Sequence, residues 1–150
     1  VQRFTKKTEI QAPVEKVFAF HLLPDALERI SPPEDKLEIL ERPAALEIGA
    51  RIVIRTWLGP FRRLWVAEVV EFVENRLFAD IQKSGPFAHW YHRHRFEPTE
   101  RDTTMYIDEI DYALPLGWVG RVLSSLAVRP RLERMFEYRH RAVARILNNH

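Results

Sequence analysis

The chain has 150 residues, 46% hydrophobic and 29% charged, which is the balance of one folded domain rather than a disordered segment. Its net charge is +2 and it contains no cysteine, which excludes disulfides, thiolate nucleophiles and sulfur-ligated metals. No apolar run reaches the roughly 20 residues that span a bilayer, no secretory pattern opens the sequence, and a cytoplasmic protein without stable membrane insertion is expected.

In chain order, residues 3–10 read as a first strand. Pro13 suits the first turn of a helix, and Val14, Val17, Phe18 and His21 follow at helical spacing. Pro24 ends that helix, a second short one runs to Ile30, and Ser31-Pro32-Pro33 stops it. From 35 to 113 the pattern turns to strands. Leu37 to Ile39, Arg51 to Leu58, Arg63 to Val73, Leu77 to Lys83, His89 to Glu97 and Thr103 to Ala113 are separated by short turns, including Gly59-Pro60 and Glu74-Asn75-Arg76. Such links imply an antiparallel sheet.

Trp118 to Asn148 is a long helical pattern. Val119, Val122, Leu123 and Leu126 begin an apolar stripe, and Leu132, Met135, Phe136, Val143, Ile146 and Leu147 continue it. Trp118 is expected to anchor the start of the helix, and Pro130 to kink it by removing a hydrogen bond. Seven arginines lie between Arg121 and Arg145. They read as a solvated helix face, not interleaved with aromatics as a nucleic-acid site would require, so no nucleic-acid partner is expected. No repeat or linker divides the chain, and residues 1–150 are taken as one domain. The expected class is α+β: a curved seven-stranded antiparallel sheet, two short helices after the first strand, and a long C-terminal helix over the one face that must be buried.

The most informative stretch is Trp90-Tyr91-His92-Arg93-His94-Arg95-Phe96. Alternation puts Trp90, His92, His94 and Phe96 on one face and Tyr91, Arg93 and Arg95 on the other. Large aromatics mixed with two imidazoles suggest a lined cavity. If the hairpin pairs symmetrically about its turn, His92 lies near Asp108 and His94 near Tyr106. Glu109 and Asp111 then fall outside with Arg93 and Arg95, and so do Met105 and Ile107. Strand 77–83 is less clear: alternation alone buries Leu77, Ala79 and Ile81, and if Phe78, Asp80 and Gln82 point inward instead, as the resemblance described below implies, Asp80 approaches His92, with Glu68 able to join.

The chain resembles the START-like (SRPBCC, helix-grip, Bet v 1-like) superfamily, and within it a bacterial ligand-binding, polyketide-cyclase-like subgroup. The residues that carry the resemblance are Ala12-Pro13-Val14-Glu15-Lys16-Val17-Phe18, Gly49, Trp65, Phe78-Ala79-Asp80-Ile81-Gln82 with Gly85-Pro86-Phe87, the 90–96 strand, Thr104 to Tyr112, and Phe136-Glu137-Tyr138-Arg139. The subgroup domain also resembles one attached to sugar-nucleotide epimerase-like proteins, although no dinucleotide-binding glycine motif occurs here. The resemblance implies a deep cavity between sheet and C-terminal helix for an apolar or aromatic ligand. It does not imply one reaction.

Three uses of the polar cluster compete. The histidines and carboxylates can satisfy one another and orient a ligand. One imidazole beside a carboxylate can transfer protons, with His92, Asp108 and Asp80 as candidates, in a cyclase or dehydratase. His92 and His94 with Asp108 or Asp80 can also make a two-histidine, one-carboxylate metal set. Ligand orientation is the preferred expectation, with no metal and no cofactor assigned and the question of catalysis left open. Trp65, Trp90, Phe96, Tyr106, Tyr112 and Phe136 are expected around a small hydrophobic or lipid-like molecule, with Glu68, Asp80, Gln82, His92, His94, Asp108 and Arg139 at its polar end. Arg139 could equally form a surface ion pair, as could Arg55. A protein-interaction module, or a homodimer, is the remaining alternative.

Overall fold

Short turns between β-branched, alternating segments leave each strand only its sequence neighbour to pair with, and the structure follows that rule. The computed structural model describes residues 1–58 and 60–148. The expected turn at Gly59-Pro60 therefore falls partly outside the described residues. The strands are β1 (Gln2–Ile10), β2 (Leu37–Glu41), β3 (Arg51–Leu58), β4 (Phe61–Val73), β5 (Leu77–Ser84), β6 (His89–Pro98) and β7 (Thr104–Ala113). They form one antiparallel sheet in the order β1-β7-β6-β5-β4-β3-β2. The first strand thus closes against the last.

Helices α1 (Val14–His21) and α2 (Ala26–Arg29) follow β1, and α1 buries Val14, Val17, Phe18 and Phe20. The C-terminal helical region has three consecutive parts: α3 (Gly117–Leu123), a π-helical stretch Ser124–Val128, and α4 (Arg129–Leu147). Pro130 lies in the first turn of α4, but the backbone stays helical through Val128 and Arg129, so the proline stands inside a continuous helical run, as expected. The irregularity it enforces appears just upstream, as the wider π turns. Among the described residues, no helix is long and apolar enough to cross a membrane.

The first part of the expected apolar stripe does not cover the sheet. Val119, Val122, Leu123 and Leu126 are exposed, and so is Trp118, which anchors nothing. The buried residues of this region are small: Gly120 and Ser124. A Cβ at position 120 would lie 2.3 Å from the Pro115 carbonyl oxygen and 3.0 Å from that of Leu114. Close backbone approach on the glycine side therefore turns the large side chains outward. Leu132, Phe136, Val143 and Leu147 of α4 are buried as expected.

The core has two apolar parts. One joins α1 and the C-terminal half of α4 to Phe78, Phe96 and Tyr106. The other joins Phe4, Ile110, Tyr112, Leu132 and Phe136, with Phe87, Trp90 and Met135 packed against them. What separates them is polar.

Candidate functional site

The β6–β7 register places His92 opposite Ile110, His94 opposite Asp108 and Phe96 opposite Tyr106. This is two residues from the symmetric pairing expected from sequence. Because a shift of two preserves the face of every side chain, the inner set stands. Tyr106, Asp108, Ile110 and Tyr112 share the inner face with Trp90, His92, His94 and Phe96. Ile107 does lie on the outer face, yet it is buried there between Lys7 and Arg95 in register, whose long stems can cover it. Arg93 meets Glu109 at 3.5 Å and Asp111 at 3.4 Å on the same face, as expected.

Asp80 is opposite His92 and points inward, so the second phase for β5 is the right one. A bulge in β4 near Val70 turns Glu68 outward, where it pairs with Arg51 at 2.9 Å. Glu68 is therefore not at the polar end of any interior site. Gln82 is also corrected. Its amide donates to the Phe87 carbonyl at 2.8 Å and accepts from the Phe87 N–H at 3.0 Å, so it caps the turn before β6. Arg55 pairs with Glu38 at 3.0 Å on the outer face.

Asp108, with no solvent exposure, is the centre of the layer. The His92 ring donates to its Oδ1 at 2.7 Å, and the His140 ring donates to its Oδ2 at 2.8 Å. Nδ1 of His94 lies 3.3 Å from Asp108 Oδ1, while Nε2 of His94 donates to Asp80 at 2.9 Å. His94 thus bridges two carboxylates. Burial alone would lower its pKa, but those two partners outweigh burial and raise it. Burial would raise the Asp108 pKa, and its hydrogen bonds from His140, His92 and His94 instead hold it well below the usual carboxylate range. Asp80 is lowered in the same way by His94. His92 goes the other way: burial and the neighbouring His94 charge lower it.

Arg139 is buried, not a surface ion pair, and its guanidinium lies over the Phe136 ring at 4.8 Å. Asp80 and Asp108 thus share this interior layer with three imidazoles and the Arg139 guanidinium. Two members were not expected at the site from sequence: His140 was not named, and His21 was placed only in the stripe of the first helix. His140 follows Phe136 by four residues and fills the gap in the stripe Leu132, Phe136, Val143, Leu147, and Thr8 meets its other nitrogen at 2.9 Å. His21 ends the apolar stripe of α1, and its Nδ1 donates to the Val17 carbonyl at 2.8 Å. Burial lowers the His21 pKa to about 4. A polar residue occupying an apolar stripe position was the available signal for both.

The rings in this layer stack closely. Centroids are 3.7 Å apart for His92 and His94, 4.1 Å for Phe78 and His94, and 4.3 Å for Tyr106 and His140. At this level the space expected to be a deep cavity is packed, because aromatic and imidazole faces fill it. Phe96 belongs to this packing, stacked on Tyr106 at 5.7 Å, and is core rather than wall. A looser aromatic group lies toward the other end: Trp65, Phe87, Trp90 and Tyr112, with Trp65 and Trp90 4.9 Å apart and half-buried. Three buried polar atoms near the layer have no hydrogen-bond partner among the described residues: His21 Nε2, the Tyr106 hydroxyl and Arg139 Nε. Asp80, His92 and His94 bring ligand-type atoms within 4.8 Å of one another, but Nε2 of each histidine is already engaged by a carboxylate.

The sequence matches the family described as "Polyketide cyclase / dehydrase and lipid transport" over residues 10–136. No curated protein matches the chain by sequence. Among solved structures, it is similar to a START superfamily protein from Mycobacterium smegmatis, with 18% identity, 97% of this chain and 96% of that one covered, and a TM-score of 0.70. It is also similar to the Zhui aromatase/cyclase from Streptomyces sp. R1128, with 15% identity, coverage of 97% and 95%, and a TM-score of 0.68. A nucleoside-diphosphate sugar epimerase from Corynebacterium glutamicum matches at 21% identity and a TM-score of 0.66, over 95% of this chain but only 28% of that one. At these identities the likeness is one of fold. With the family match spanning most of its length and the helix-grip frame around it, the chain belongs to the polyketide cyclase/dehydrase and lipid-transport family.

Proposed function

We propose that the protein binds a small apolar or aromatic molecule that carries one polar end. The observation that carries this reading is the set of unpartnered buried atoms at His21, Tyr106 and Arg139 beside the Asp108 cluster. Buried donors and acceptors cost free energy unless something satisfies them. A carboxylate or carbonyl oxygen would accept from Arg139, which lies over Phe136 on the side of the second apolar half, and its apolar body would lie toward Trp65, Phe87, Trp90 and Tyr112. Because the layer itself is packed, the ligand enters from the aromatic end, with α3 and the π-helical stretch yielding to admit it.

The test is a titration with 2-naphthoate, an aromatic body with one carboxylate, followed by quenching of tryptophan fluorescence. Saturable quenching is expected, weakened about tenfold by Arg139→Gln, which removes a charged hydrogen bond. Absence of saturable quenching, together with no small molecule retained in native mass spectra of protein from its own host, would sink the reading.

A second reading, proton transfer in a cyclase or dehydratase, is favoured by the 2.7 Å contact of His92 with Asp108 on the side facing Trp90. A carboxylate-backed imidazole can move a proton α to a ligand carbonyl. Deuterium uptake at that carbon of 2-acetonaphthone, measured by mass spectrometry, tests it. Equal uptake with His92→Ala removes His92 from any such role.

A further inference from the structure

The sheet register puts several chain segments at one end of the molecule. Ala113 pairs with His89, Val66 pairs with Ser84, and Leu58 pairs with Phe61 across the β3–β4 turn. The end of β7, the start of β6, the end of β5 and the β3–β4 hairpin tip therefore lie together. Helix α3 leaves β7 from this end, and Arg131 reaches across to the Trp57 carbonyl at 3.5 Å, tying the start of α4 to the hairpin.

This end has two unusual properties. First, it exposes large apolar side chains: Leu116 at 72%, Trp118 at 69%, Leu126 at 74% and Phe61 at 71%, with Val122 and Leu64 about half exposed. On α3 and the π-helical stretch these side chains fall opposite Gly120 and Ser124, the small residues that face the protein. The amphipathicity is inverted, so the contact made by Gly120 leaves a band of large apolar side chains facing solvent. Second, the segments that form this end carry few acidic residues, although Glu38 pairs with Arg55 at 3.0 Å and Glu133 with Arg129 at 3.4 Å. None occurs from 48 to 67 or from 112 to 132, while Arg55, Arg62, Arg63, Arg121, Arg129 and Arg131 do. A recess of about 270 Å³ on the hairpin is lined by Arg55, Arg62, Arg63 and Leu64. Arg55 is paired with Glu38, but Arg62 and Arg63 have no carboxylate within 4 Å among the described residues.

We infer that this end docks on the surface of an anionic lipid bilayer. Charge complementarity selects that occupant. A second copy of the same face would set arginine against arginine, whereas lipid phosphates meet the arginines and the headgroup–acyl boundary takes Trp118, Leu126 and Phe61. The recess between Arg62 and Arg63 holds a headgroup phosphate. The apolar side chains enter only the outer part of one leaflet, so the association is peripheral and reversible.

Co-sedimentation of the full chain with sucrose-loaded vesicles tests the inference. Vesicles of phosphatidylcholine containing about one-third phosphatidylglycerol are expected to pellet the protein and to blue-shift its tryptophan emission. Pure phosphatidylcholine vesicles are expected to do neither, and added salt should release the protein. Arg121→Glu should weaken binding about fivefold or more, and Leu126→Glu about tenfold. Both positions are solvent-exposed, and unchanged thermal unfolding will confirm that each variant is folded. Loss of the blue shift in Trp118→Phe with retained pelleting assigns the signal to this face. Equal binding to neutral and anionic vesicles, or none to either, overturns the inference. So does a concentration-dependent dimer that Leu126→Glu abolishes without any vesicle binding.

Discussion

Asp108 receives two imidazole hydrogen bonds, lies beside a third imidazole at 3.3 Å, and has no contact with solvent. Its value to the fold depends on that company, because a buried carboxylate is tolerated only when it is paired. Asp108→Asn keeps the shape and removes the charge. It leaves Asp80 as the one carboxylate facing His94 and the Arg139 guanidinium. Destabilisation of about 3–5 kcal/mol is expected in urea unfolding. A loss below about 1 kcal/mol would mean that water, not the histidines, satisfies the carboxylate. The inner face of β6 was readable from alternation alone, since period two survives any even register shift. The partners of Asp108 were not fully readable. His140 comes from a helix 32 residues away, and no local pattern in β7 points to it.

At the scale of elements, strands were the most legible part of the chain and the C-terminal helical region the least. Turn residues bound each hairpin, so six consecutive strands could be placed within a residue or two of their observed limits. The apolar positions 119, 122, 123 and 126 were misplaced because periodicity reports which residues share a face, not which way that face points. The direction is set here by Gly120, whose missing side chain lets α3 lie against the carbonyls of Leu114 and Pro115. Gly120→Ala would drive a Cβ into backbone atoms that cannot move aside. It should displace α3, with a loss of about 1–3 kcal/mol and faster amide hydrogen exchange confined to residues 114–128. Unchanged exchange there would show that the helix is not held by this contact.

For the molecule as a whole, the interior is an apolar half, a polar layer and a second apolar half, and the ionisation of the layer ties stability to pH. His21 has an ordinary value of 6.5 when unfolded and about 4 when folded. A depressed histidine contributes stability that is present above pH 6.5 and is lost as the pH falls toward 4, at about 1.4 kcal/mol per unit of separation. His92 has the same sign. His94 has the opposite sign. Its raised value adds stability that is present below 6.5 and is lost as the pH climbs through its folded value. The two trends cross between the unfolded histidine value and the folded value of His94, so the thermal midpoint should peak near neutrality. Its acid limb should begin near pH 6.5, well above the range where Asp80 and Asp108, both held low, take up protons. His21→Asn, whose amide can still donate to the Val17 carbonyl, removes one titrating group and should make that acid limb shallower. A midpoint that stays flat from about pH 7 to about 4.5 would mean that the layer opens to water before its histidines titrate. In that case the unpaired atoms at His21, Tyr106 and Arg139 would be solvated rather than waiting for a ligand.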